Sequence, residues 1–213
     1  MHKFTDFVGT PLQESVIPII PAGVKLRPSI RLAPDRVGKF PGRPYSDGWG
    51  SFPWQKVRAT PEMLETWDHC YEEEGLEPII GLQTRLVTAI DIGTEDKDMA
   101  RTFTEHAVKV FGPPLIRVRP NSCSRLLLYR SGGAIPNNLR RVWENAVGVR
   151  TALQALGDGQ WCVVYGRHPS GVDYEWLDGR GPLEMCRIGS RSAQRGVPPE
   201  AVWRCPSPNR WRA

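Results

Sequence analysis

Beyond the Gly112-Pro113-Pro114 break the chain offers only short runs of strand-forming residues. They are "LIRVR" (115–119), "RLLLYR" (125–130), "RRVW" (140–143), "RTALQAL" (150–156), "WCVVYG" (161–166) and "YEW" (174–176). None is long enough for a helix of ordinary length, and turn residues separate them, Asp158-Gly159 among them. A chain punctuated in this way must bury its apolar residues in a sheet whose strands are joined by turns, so the sheet is expected to be mostly antiparallel.

Two helices are expected beside it. In "TPEMLETWDHCYEEEGLEP" Thr60 can cap, Pro61 suits the first turn, Leu64, Trp67 and Tyr71 share one face, and Gly75 can stop the helix. Over 97–111 Ala100, Phe103, Ala107 and Val110 repeat at helical spacing before Gly112. "SVIPII" (15–20), "PIIGL" (78–82) and "LVTAIDI" (86–92) read as further strands, and residues 21–54, crowded with Pro, Gly and basic residues, as a long ordered loop or a hairpin. The expected class is α+β, a mostly antiparallel sheet with flanking helices over residues 1–179.

Charge separates the end of the chain from the rest. Residues 180–213 hold Arg180, Arg187, Arg191, Arg195, Arg204, Arg210 and Arg212 against Glu184 and Glu200, which accounts for the whole net charge of +5. This tail is expected to be poorly ordered, and either to attract nucleic acid or an acidic partner or simply to be solvated. No run approaches the roughly 18 apolar residues of a membrane span. The first ten residues, "MHKFTDFVGT", lack the apolar core of a signal peptide, so a soluble cytoplasmic protein with no membrane partner is expected. Cys70, Cys123, Cys162, Cys186 and Cys205 are odd in number and scattered, which fits reduced thiols better than a zinc site or a disulfide framework.

The stretch with most to say about chemistry is "LVTAIDIGTEDKD" (86–98), where an apolar strand climbs to Asp91 and then to Gly93 on the same face. A buried strand ending in an acid usually presents that acid to a partner. Glycine inside a strand costs stability, because it loses more entropy and packs nothing, so a glycine at 93 is tolerable if the site has lost its task or if a partner's backbone approaches closely. Glu95, Asp96 and Asp98 could supply further acids, but their place at a helix start suits the helix dipole better. The chain has no GxxxxGK[ST], no GxGxxG after a strand, no HExxH and no GxSxG. His168, in "YGRHPSG", reads as a loop hydrogen-bonder or as a catalytic group.

Four segments in order resemble the primase-polymerase (prim-pol) domain of the archaeo-eukaryotic primase superfamily, in the form that phages and mobile elements carry. They are "GKFPGRPYSDGWGSFPWQKVRATPEMLETW", "IIGLQTRLVTAIDIGTEDKD", "RLLLYR" and "ALGDGQWCVVYGRHPSGVDYEW", and the likeness spans about residues 15–178. The resemblance implies a fold related to RNA-recognition domains and a site built on two aspartates one residue apart. Such a pair can hold two divalent metals for nucleotidyl transfer. It matches Asp91 to the first aspartate and puts Gly93 at the second, Arg125 at a triphosphate contact with Ser124 where relatives often have lysine, Gln154 at a third acid, and His168 near the nucleotide.

The resemblance thus implies a dismantled two-metal centre. The chain would then act by binding nucleic acid, nucleotide or a protein complex, as an inhibitor of host defence or a replication accessory. The rival expectation is an active DNA primase-polymerase that uses Mg²⁺ or Mn²⁺ on Asp91, with Arg125 and His168 on the triphosphate and the basic tail on template. Without activity no cofactor is expected.

Overall fold

The computed structural model describes residues 1–33, 36–130, 139–145 and 148–186. Its strands are, in chain order, β1 (Val16–Pro18), β2 (Arg43–Tyr45), β3 (Gly48–Gly50), β4 (Ile80–Gln83), β5 (Val87–Gly93), β6 (Leu115–Arg119), β7 (Ser122–Arg130), β8 (Leu139–Glu144), β9 (Arg150–Leu156), β10 (Trp161–Tyr165) and β11 (Glu175–Trp176). The helices are α1 (Pro61–Glu73) and α2 (Lys97–Phe111). Every pairing between these strands is antiparallel, as the short punctuated runs require. The class is α+β. Among the described residues no helix is long and apolar enough to cross a membrane.

The described residues fall into two compact units, one of residues 1–83 with 161–174, the other of 84–160 with the described residues from 175 on. In the first, β4 lies between β1 and β10. Helix α1 forms where the sequence predicts it, with the Thr60 side chain accepting from the Met63 N–H and Pro61 in the first turn. Its Leu64, Trp67 and Tyr71 are buried. The Phe4 ring packs edge-on to Trp67 at 5.7 Å, and the Asp68 carboxylate accepts from the N–H groups of Phe4 and Thr5. The Tyr71 hydroxyl donates to the Ile19 carbonyl, and burial pushes its pKa well up. The basic segment 21–54 contains a hairpin, β2–β3, and the Trp49 indole N–H of that hairpin donates to Glu74 at 2.8 Å.

The second unit is a six-stranded sheet in the order β11-β6-β7-β5-β9-β8. Helix α2 covers one face. Ile90, Ile92, Leu127 and Tyr129 of the sheet bury against Ala107, with Phe103, Phe111, Ile116 and Leu153 around them. The helix begins at Asp96, whose side chain accepts from the N–H groups of Asp98 and Met99, and ends at Gly112, where φ of +85° suits glycine. Leu183 and Met185 are buried in a helical turn at 182–186, so the ordered chain continues at least that far. Of the seven tail arginines only Arg180 is described, ion-paired to Asp178 at 3.3 Å; Arg187, Arg191, Arg195, Arg204, Arg210 and Arg212 lie outside the described residues. Cys70, Cys123, Cys162 and Cys186 are thiols, and Cys205 is likewise outside.

Candidate functional site

Alternation along β5 sends Thr88, Ile90 and Ile92 toward α2 and leaves Val87, Ala89, Asp91 and Gly93 on the other face. The pairing register then decides what surrounds Asp91. It stands opposite Leu126 on β7 and opposite Gln154 on β9. One strand further out, Arg117 of β6 pairs with Leu126 and Arg140 of β8 pairs with Gln154. Directly paired residues share a face, so one row across the sheet reads Arg117, Leu126, Asp91, Gln154, Arg140. Gly93 follows Asp91 on this face and is opposed by Ala152.

Burial grades along the same face. Val87, Ala89, Leu126, Leu128 and Leu156 are buried, whereas Asp91, Gly93, Ala152 and Gln154 are half-buried and Arg140 is exposed. The face therefore opens to solvent at the level of Asp91, where a polar group keeps its hydration.

Gly93 is not held there by sterics. A Cβ built on it would meet the Ala152 carbonyl oxygen at 3.6 Å and the Ala152 Cβ at 3.8 Å, ordinary van der Waals distances. The backbone there is an extended strand that any residue can adopt. No backbone of this chain comes close enough to require the glycine.

The neighbouring acids are each engaged in structure. Glu95 accepts from the Ser122 hydroxyl at 2.8 Å and the Cys123 N–H at 3.4 Å. Asp96 caps α2 and accepts from the Asn145 amide at 3.1 Å; the N–H of Met99 leads the interactions that hold its carboxyl below the usual range, despite some desolvation. Asp98 pairs with Arg101 at 3.0 Å. Among the described residues no group of three or more His, Cys, Asp or Glu side chains is placed to hold a metal ion. In the row of Asp91 the possible donors are one carboxylate and one amide, beside a leucine and with an arginine at each end. Two divalent cations need several anionic oxygens, so these residues do not fit them.

The structure does not put Arg125 on the face of Asp91. Arg125 pairs with Ile92, which puts it on the helix-covered face, and its Nη1 donates to Thr104 Oγ1 on α2 at 3.3 Å. Neighbours on a strand face opposite ways, so Ser124 occupies the Asp91 side at that level, with its hydroxyl bonded to the Thr94 backbone at 3.2 Å. His168 belongs to the other unit. It is buried, its Nδ1 accepts from the Ser170 N–H at 3.1 Å, and its ring stands edge-on to Tyr174 at 5.6 Å. His168 thus hydrogen-bonds within its own loop. Sequence reasoning missed Arg117 and Arg140. Their strands were recognised, but only the pairing register brings both into the row of Asp91.

No protein-family model matches the chain, and no curated protein matches it.

Proposed function

We propose that this chain is a prim-pol-like protein of the type carried by phages and mobile elements, with a dismantled two-metal centre. On this reading it works by binding nucleic acid, nucleotide or a nucleic-acid-handling protein complex rather than by polymerising. One observation supports the reading above others: positions 91, 93 and 154, which the resemblance makes an acid set, converge on one face of one sheet, and a single carboxylate survives among them. Loss of two acids in a framework that still accepts a side chain at position 93 is what a reassigned site leaves behind. The flanking guanidiniums favour an anionic partner over a free cation.

The test is primer extension and de novo priming with Mg²⁺ and Mn²⁺, beside binding of single-stranded DNA in the presence of a chelator. The expected result is no extension, with binding that survives the chelator. Mn²⁺-dependent nucleotide incorporation that Asp91→Ala abolishes would establish the active polymerase instead.

A further inference from the structure

Strand β8 ends the six-stranded sheet, and among the described residues no strand pairs with its outer edge. All six of its residues are exposed, including Leu139 at 38%, Val142 at 39% and Trp143 at 42%. An open edge carrying apolar side chains is a template for another strand, and proteins usually blunt such edges with charge or cover them. The placement of the charges on β8 bears on what covers it.

Residues facing each other across an antiparallel pair must direct their N–H and C=O groups the same way, toward the partner or away from it. When a strand pairs with its own copy about a twofold axis, this parity lets the register centre on a residue but never between two neighbours. Centring on Arg141 sets that guanidinium opposite itself. Centring on Trp143 sets Glu144 opposite Val142. Centring on Val142 sets Arg140 opposite Glu144 and Arg141 opposite Trp143, with Val142 against its own copy. Only this last register gives every charged residue of the strand a complementary partner, one as an ion pair and one as a cation–π contact.

We infer that β8 pairs antiparallel with β8 of a second copy, centred on Val142, joining two six-stranded sheets into one. Trp143 stacks on Phe103 at 5.5 Å on its own helix side, and its remaining exposure is what Arg141 of the second copy would cover. On the opposite face Glu144 of the second copy extends the row Asp91, Gln154, Arg140 by one residue. The inference rests on register and charge and is independent of the metal-site reading.

Sedimentation of the full chain up to about 100 µM tests it, since a six-residue strand contact is small and the dimer should be reversible. The wild type should dimerise. Arg140→Glu and Glu144→Arg, each setting like charges opposite each other twice across the twofold, should each weaken the dimer by about tenfold. An equal mixture of the two single variants should associate as the wild type does, because both cross-strand pairs are then complementary. The charge-swapped double variant should also recover it, and because it keeps the strand's composition it tests the pairing even if a single variant unfolds. A wild-type chain that stays monomeric at about 100 µM, single variants that dimerise unchanged, or a swapped variant that stays weak would each overturn the proposal.

Discussion

Gly81 in β4 and Gly93 in β5 are both glycines inside paired strands, one in each unit, and they stand there for opposite reasons. A Cβ on Gly81 would fall 2.8 Å from Ile19 Cδ1, closer than real Cβ atoms come, and 3.1 Å from Ile17 Cγ1, tighter than most such contacts. The isoleucines fill the space above β4, and the missing side chain is part of the packing. At Gly93 the same construction meets nothing nearer than 3.6 Å. The first glycine is demanded by its neighbours, while the second is merely allowed by them. A strand glycine therefore reports on function only after its surroundings have been measured.

The contrast can be broken at either end. The largest effect is expected at Gly81→Ala, which forces Ile19 and Ile17 out of place and should cost about 2 kcal/mol of stability by denaturant melting. A neutral result would mean the isoleucines have room to turn aside, and the contrast would fail. Next comes Gly93→Asp combined with Gln154→Glu. With three carboxylates on one face, Mn²⁺ at ten times its dissociation constant should stabilise the variant by about 1.4 kcal/mol, and should leave the wild type unmoved. Thermal melting with and without Mn²⁺ reads this directly, and no shift in the variant would show that positions 91, 93 and 154 do not form a ligand set. The smallest effect belongs to Gly93→Ala, which should stabilise by about 0.5 kcal/mol through a less flexible unfolded chain. Destabilisation there would reveal a constraint the contacts do not show.

A pH dependence follows from the cap of α2. The folded-state pKa of Asp96 is depressed, so the stability it contributes is present above its unfolded value, near 4, and is lost as pH falls through the lower folded value. Asp96→Asn should flatten the acid limb of the pH–stability curve. An unchanged limb would assign acid sensitivity to other carboxylates.

Both helices were legible in the chain because their signals are local: Thr60 and Pro61 before one apolar stripe, the acid cluster and Gly112 around the other. The strands were legible as apolar runs, but β7 begins at Ser122, three residues before the expected start at Arg125, because the polar stretch "SCS" is held by pairing of Ser122 with Arg119 and by the Ser122 and Ser124 hydroxyls on Glu95 and the Thr94 backbone. Register was not legible. Reading Arg125 together with Asp91 required the two to share a face, and parity along β7 gives that place to Ser124. The division into two units was hidden for a related reason, since it depends on β10 pairing with β4 across a long stretch of sequence.

That last pairing sets an order of events during synthesis. Strand β4 has β1 available as soon as Gln83 emerges, but its other neighbour, β10, begins only at Trp161. At about 5–20 residues per second, several seconds of translation separate the two. Throughout that interval the first unit holds a half-built sheet, with Gly81 and the apolar strand around it open along one edge. The intervening residues build most of the second unit, which has all of β5 to β9 in hand before the first unit can close. The nascent chain thus has five of the six strands of its later-encoded sheet before its earlier sheet can close, and the first unit is the one exposed to misassembly while it waits.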